Sequence, residues 1–534
     1  MLKALRTPTR DGETLITPES AHLPALLHTA RQRLDHMNFS LAGRPARQVR
    51  DEARAEVVRL LGTDLPGPWI MTGHQPEMIH AGVWFKDPVT ASLAEAVGGS
   101  ALHLVADLDT VKHTDLIIPQ VQPAGRVTPV RVSFMHATGR HSPAQLPPPT
   151  PEALDELIRQ VQQILPEPGI FPEWAALARS ALPTSRTLAR WLAAGRNGLG
   201  RSLGVTVHDV FASDIVRGRA FASFAAEIIL RHREVHATYR QVLQDYRAAH
   251  HITNRAQPVP DLVEHDGTME VPLWAFGPAG LREPLLVRRA GDSLELLTPS
   301  GHLAALPGEE GTIVQAIQDL LASGVILAPR ALTLTMFLRT FLADVFVHGI
   351  GGAQYDDLGD EMTQRWLGWQ PPPFVAATAT LRLPLPRFNV TAEDLSHARW
   401  DRHHAWHNPQ LYAHTSPPDL AAQGEADMPP EVKGLLNRKS AALRAIQAAP
   451  RRSPQRLAAY AEIQRINADL RAVLPTAAAV EERNVQSIQD QLAQNVQADG
   501  REFFFALMPR QKLQDLLDQA PQWASPARPS PQPA

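Results

Sequence analysis

The chain has 534 residues, roughly three to four domain-sized units at about 150 residues each, and 44% of it is hydrophobic, enough for a sizeable buried core and against disorder of the whole chain. Its 52 basic and 55 acidic residues leave a net charge of -3, so no global basic field points to nucleic acid or to an anionic membrane surface. Cysteine is absent, which removes disulfides, thiolate nucleophiles, cysteine–zinc sites and iron–sulfur clusters together.

The N-terminus carries no continuous apolar stretch of the signal-peptide kind, and no run reaches the roughly 18 apolar residues of a spanning helix. The expectation is a soluble, cytoplasmic protein with a small-molecule substrate and neither nucleic acid nor membrane as partner. Residues 1–65 read as a helical arm, with apolar positions three and four apart and a stop at Gly62 and Pro66. PWIMTG then reads as a strand entering a turn, VWFKDPVTASLAEAVGG as a helix and ALHLVADLD as a second strand, a βαβ unit. Asp87 before Pro88 has the pattern of a helix cap. Helical stretches near 151–165 and 185–197 precede the strand VTVHDVF and one long amphipathic helix with Phe221, Phe224, Ile228, Val235, Val242 and Tyr246 on a stripe.

Residues 258–311 change character and read as a small antiparallel β-rich insertion. The core, begun at 66–257, resumes over 312–385 through VILAPR, a long apolar helix, the turn HGIGG, a further helix and the strand FVAATATLRL. Residues 386–520 are helical and polar, with apolar spacing that fits a helical lobe or short coiled coil. An apolar seam in such a lobe is the expected contact of a homodimer. Residues 521–534 form a Pro-rich tail too poor in apolar side chains to order itself. The fold class is therefore α/β with a β insertion and a helical C-terminal lobe.

In open α/β sheets, ligands bind beyond the carboxyl ends of the strands, where helix N-termini favour anions. Three segments end at that rim: Thr72-Gly73-His74-Gln75, Asp107-Leu108-Asp109 through Lys112, and His348-Gly349-Ile350-Gly351-Gly352. The glycines allow close backbone approach, His74 and His348 are expected to donate to phosphate or carboxylate oxygens, and Asp107 and Asp109 to hold a metal, orient an amine or act as a base. Only six of the 52 basic residues are lysine, yet Lys86 and Lys112 both fall among residues 71–115, and lysine is a point charge that arginine replaces poorly.

Other strings are set aside. Gly200-Arg201-Ser202-Leu203-Gly204 matches the nucleophile-elbow pattern but follows a helix and precedes a strand, the reverse of what an elbow needs. His232 and His236 lack a glutamate at the zinc-protease position. His403, His404, His407 and His414 are dense, but no carboxylate or cysteine spacing completes a metal site. Neither a P-loop nor a dinucleotide fingerprint occurs.

The order of these segments resembles the cysteine-adding enzyme family of bacillithiol biosynthesis over roughly residues 66–385. The family's T-G-Q-Q segment is similar to Thr72-Gly73-His74-Gln75, and its lysine-bearing helix to Val83-Trp84-Phe85-Lys86. Its E-D-H-D segment corresponds to Ala106-Asp107-Leu108-Asp109, with Leu108 in place of histidine. Its strand ending in aspartate resembles the stretch that places Asp214, and its G-G-P-G-E segment and following tyrosine resemble residues 348–352 and Tyr355, with Gly352 in place of glutamate.

This resemblance implies a Rossmann-like core with a coiled-coil lobe, and a ligase that uses ATP and Mg²⁺ to join an activated carboxylate, cysteine-like, to an amine of an acceptor such as an amino-sugar conjugate. In that reading Gly73, His74 and Gly349–Gly352 cradle phosphate, Lys86 or Lys112 neutralises it, and Asp107 or Asp109 binds Mg²⁺ or accepts the amine proton. Leu108 and Gly352 favour the alternative of a non-catalytic scaffold or regulator with a decayed nucleotide site.

Overall fold

Strands buried on both faces build the centre of the molecule. In the computed structural model, which describes residues 5–19, 22–135, 141–277, 280–411 and 429–520, these are β1 (Glu13–Thr17), β2 (Trp69–His74), β3 (Ser100–Val105), β4 (His208–Phe211), β5 (Val345–His348) and β6 (Phe374–Thr380). They form one sheet in the order β1-β6-β5-β2-β3-β4. All neighbours are parallel except β1, which runs antiparallel to β6 with Glu13 opposite Thr380. Every residue of β3 is buried, as expected of a central parallel strand covered on both faces. The chain steps outward from β2 through β3 to β4, then returns to the other side of β2 for β5 and β6. Strand order therefore reverses between β2 and β5, and the crevice at their carboxyl ends is where such sheets take ligands.

The parallel pair β2–β3 is joined by the helix α1 (Lys86–Ala96), the βαβ unit read from the sequence. Regular helix begins at Lys86, after a single helical turn at Ala81–Trp84, so Asp87 is not a cap. Its carboxylate is instead buried between His103 Nδ1 at 2.6 Å and Arg196 Nη1 at 3.0 Å. The long helix expected after β4 is two helices, Arg219–Leu230 and His232–Ala249, broken where Arg231 leaves helical geometry. There His232 Nδ1 bonds the Ile229 carbonyl at 3.0 Å, a side chain inserted into the backbone ladder of the kind that bends helices.

The insertion is a second, antiparallel sheet: Thr268–Phe276, Arg282–Ala290, Ser293–Thr298 and Gly301–Pro307 pair in sequence. It extends beyond the expected boundary at 311, because Ile326–Pro329 adds to the free edge of Thr268–Phe276 with Phe276 opposite Ile326; an unpaired edge of a buried strand needs such a partner. The helices α2 (Ala331–Phe341) and α3 (Ile350–Leu367) lead into and out of β5. Phe221, Phe224, Phe337 and Phe341 pack at ring distances of 5.3–6.3 Å in the core beneath them.

The chain divides into two compact units. The first takes residues 1–119, 129–383 and 501–534, the second 120–128 and 384–500. The first 65 residues are thus not an arm outside the core. β1 is an edge strand of the main sheet, and the helix Ala46–Leu61 buries Val49 and Val57 while Arg50 and Arg54 bind Asp344 at 2.7 and 3.0 Å, next to β5. Nor does the lobe run to 520. Residues 501–520 return to the first unit, where Phe505 stacks on Trp84 at 4.9 Å and Phe504 meets Trp174 at 5.3 Å, burial that their aromatic content demands.

The second unit is helical. Pro430–Ala448 and Pro454–Val473 pair through Val432, Leu435, Ile466 and Leu470, and Ala392–His407 packs on Pro475–Ala498. A capping box of Thr391 and Asp394 starts its first helix. No helix among the described residues is long and apolar enough to cross a membrane. The tail from 521 lies outside the described residues.

Candidate functional site

A cavity of about 950 Å³ opens at the strand-order reversal, and every residue lining it belongs to the first unit. β2 ends there in Gly73 and His74, and a Cβ at Gly73 would meet the Leu104 carbonyl at 3.0 Å, so a side chain there would press β2 away from β3 at the rim. Across the crevice β5 ends in His348, and Gly349 starts α3 with no side-chain cap and no acidic residue in its first turn. The first amides of α3 therefore have no internal partner and face the cavity through Gly351 and Gly352, an arrangement that favours anions. Space around a Cβ at Gly351 is open, and at Gly349 the nearest atom is Lys86 Cδ at 3.9 Å.

Lys86 is buried, and its Nζ donates to the Gly73 carbonyl at 2.6 Å. Burial, only partly offset by neighbouring Asp87, brings its ammonium down to about 8. Lys112 Nζ donates to Gln75 Oε1 at 3.0 Å, Gln75 donates to Asp109, and Asp109 also binds Arg282 from the second sheet. The guanidinium groups of Arg282 and Arg330 lie 4.5 and 4.0 Å over the Trp274 ring, and Arg330 is also paired with Glu270. Five cations, Lys86, Lys112, Arg282, Arg330 and Arg501, line the cavity against two carboxylates, Asp109 and Glu502. Such an excess in a concave, partly apolar site selects anionic ligands.

His74 Nδ1 lies 2.9 Å from the Gln75 carbonyl, which can only accept. Nδ1 therefore carries the proton and Nε2 is an acceptor. Burial, reinforced by Lys86, pushes its imidazolium down to about 3. The expectation that His74 donates to phosphate is corrected on this ground: at neutral pH the free ring nitrogen accepts a hydrogen bond. His348 also meets a carboxylate, with Nε2 2.6 Å from Asp356 Oδ2.

The cavity brings together Gly73, His74, Gln75, Lys86, Asp109, Lys112, His348, Gly349, Gly351, Gly352 and Tyr355. Thr72, Asp107 and Asp214 do not line it. Thr72 Oγ1 donates to the Val347 carbonyl at 2.8 Å and ties β2 to β5. Asp107 accepts from the Ser213 amide at 2.9 Å and hydroxyl at 2.6 Å, and burial pushes its carboxyl up to about 6. Asp214 pairs with Arg190 at 2.8 Å.

The carboxylates thus do not fit a protein-held Mg²⁺, since Asp107 faces Ser213 and Asp109 is already engaged by Gln75 and Arg282. No group of three or more His, Asp or Glu close enough to hold a metal ion occurs among the described residues. In the second unit His403 and His407 lie 4.6 Å apart and His404 stacks on Trp400 at 3.7 Å; His414 lies outside the described residues. His232 and His236 are both buried, with Nδ1 on backbone carbonyls, a structural role.

Sequence reading missed His80, Tyr239, Trp274, Arg282, Arg330 and Arg501, all of which line the cavity. Arg330 carried a usable signal, because VILAPR is itself a strand ending before a helix, the pattern that selected the other rim segments. Trp274 and Arg282 sit within strands of the insertion and reach the cavity only by folding. No protein-family model matches the chain, and no curated protein matches it significantly.

Proposed function

We propose that this protein is a ligase that binds a nucleotide, ATP, in the cavity of the first unit and joins a carboxylate, cysteine-like in the resemblance, to the amine of a small-molecule acceptor such as an amino-sugar conjugate. The observation that carries the reading is the meeting of three separate segments, Gly73–Gln75, Lys86 and Gly349–Gly352, at one strand-order reversal beside an uncapped helix. The reversal also supports reading the core as Rossmann-like, and the paired helices of the second unit support a short coiled coil.

ATP supplies the activation of the carboxylate. The chain's own part is to neutralise phosphate charge with Lys86 and the first amides of α3, to close the site with Arg282 and Arg330, and to orient the acceptor. His74 Nε2 accepts a hydrogen bond from it. The donor set offers no cage for Mg²⁺.

The test is calorimetric titration with ATP, with and without Mg²⁺, on the wild type and Lys86→Met. Hydrogen bonds to charged groups are worth about 1.5–3 kcal/mol, so the variant should bind at least about tenfold more weakly. Loss of binding in Lys86→Met with retention in Asp214→Asn places the anion at the rim. No binding in the wild type returns the chain to a non-catalytic scaffold or regulator with a decayed site. A homodimer through the lobe is part of the same proposal, supported by exposed Leu443, Leu457 and Tyr460 on the two paired helices.

A further inference from the structure

Behind the rim lies a buried pair that phosphate binding does not use. His348 closes β5, only 4% exposed, with its ring held between Phe346 at 4.5 Å and Phe374 at 5.0 Å. Its Nε2 is 2.6 Å from Asp356 Oδ2 on α3. Asp356 is held in turn by Arg339 of α2 at 2.6 Å, and Arg339 also binds Asp360 at 2.5 Å. Burial alone raises the Asp356 carboxyl, but His348 and Arg339 outweigh it and keep the group ionised. The pair is off the line of a hydrogen bond, but an ionised carboxylate oxygen 2.6 Å away repels a lone pair on Nε2, so Nε2 carries the hydrogen and Nδ1 is left with its lone pair. Nδ1 lies on the Gly352 side, where a Cβ would come within 2.9 Å of it; the glycine keeps that approach open, and both residues line the cavity.

We propose that His348 is the general base of this site, positioned by Asp356, and that it takes the proton of an acceptor amine whose co-substrate rests at the N-terminus of α3. The inference rests on the ligase reading and deepens it. As the amine nitrogen attacks the carbonyl carbon of an acyl phosphate, the C–N bond forms and the carbon–oxygen bond to phosphate breaks. The N–H proton passes to Nδ1, the electron pair of the N–H bond stays on nitrogen, and phosphate leaves with the electrons of the broken C–O bond.

His348 is better suited than His74 for electrostatic reasons. A proton on His74 would sit beside Lys86 with only the Gln75 carbonyl to oppose it. A proton on His348 is gained against ionised Asp356, although Arg339 and Lys86 resist it and Tyr355 stands nearby on α3. Burial holds the free His348 ring below the ordinary histidine value, hence neutral and ready to accept at pH 7.

The absence of cysteine allows a direct test, because no thiol competes for an alkylating agent. With iodoacetate, the Nδ1 lone pair attacks the methylene carbon, the carbon–iodine bond breaks and iodide leaves. The full chain is treated with iodoacetate and, in parallel, with neutral iodoacetamide, and the products are mapped by peptide mass.

His348 should carboxymethylate faster than any other histidine, and faster with iodoacetate than with iodoacetamide, because the cavity cations attract the carboxylate. Its rate should level off at a lower pH than that of exposed histidines, and in Asp356→Asn it should fall at least about tenfold, since the amide releases the tautomer. A His348 that stays unmodified in the folded wild type while exposed histidines react overturns the proposal, as does an unchanged rate in Asp356→Asn. Wild-type mapping and its pH profile decide the matter if that variant does not fold. The alkylation needs no nucleotide: a reactive His348 without ATP binding keeps the base and removes the nucleotide, and ATP binding with an inert His348 does the reverse.

Discussion

Lys86 shows how one side chain takes its character from its surroundings. Its ammonium is buried at the start of α1, close to 8 in titration, with one hydrogen on the Gly73 carbonyl and two left for a ligand. The charge it offers is therefore lost as pH rises through about 8. Anion affinity measured by calorimetry should fall between pH 7 and pH 9 in the wild type, and the fall should be much smaller in Lys86→Met. Asp107 makes the opposite case. Its folded carboxyl is raised to about 6 by burial, above its unfolded value, so the unfolded chain loses the proton first and stability declines as pH rises from about 4 to about 6. The decline amounts to roughly 2–3 kcal/mol. Urea unfolding of Asp107→Asn should lack this slope, and a slope identical to that of the wild type would mean that Asp107 is not buried as described. Neither value was readable from sequence, since both depend on what covers the side chain.

Among elements, one close fit is between the turn before the helix Phe171–Ala181 and the returning segment 501–520. Gly169 has φ +58°, and a Cβ there would come within 2.2 Å of the Met508 carbonyl, a backbone atom that cannot swing aside. Ile170 N donates to that same carbonyl at 3.2 Å. Gly169→Ala should cost about 2–3 kcal/mol in urea unfolding, and a change below about 0.5 kcal/mol would show that the segment is not docked there. The βαβ unit, the strand VTVHDVF and the meander of the insertion were legible because period and punctuation are local. β1 was not, because ETLIT is short, follows a polar start and becomes a strand only through the free edge of β6. The break at Arg231 was hidden for a related reason: the apolar stripe continues through it, and at the interruption a histidine bonds back to the preceding helix.

At the scale of the whole molecule, the path of the chain decides what can be removed. It leaves the first unit after Leu383 and returns at Arg501, which lines the cavity. A truncation of the lobe that runs to 520 therefore also strips Phe504, Phe505, Leu507, Leu513 and Leu516 from the first unit, all buried. Self-association is better tested by Leu457→Glu together with Tyr460→Glu, two exposed positions that leave the unit's apolar pair intact. Sedimentation should show a dimer in the wild type and a monomer in the double variant, and a wild-type monomer would remove the dimer.

Composition and periodicity determined by themselves that this is an α/β chain with a separate antiparallel insertion and a helical region near its end, and they singled out the glycine-rich strand ends that the fold gathers along one cavity. Those properties are set within ten or twenty residues, by propensity and by the spacing of apolar side chains. Tertiary structure alone decided that Gly73, Lys86 and Gly349 share one cavity, that Arg282 and Arg330 of the insertion complete it, that Asp107 turns away to Ser213, and that His348 faces Asp356. Each of these is a contact between residues far apart in the chain, and its energy, whether desolvation, ion pairing or the choice of tautomer, exists only once folding has removed water and set the distance.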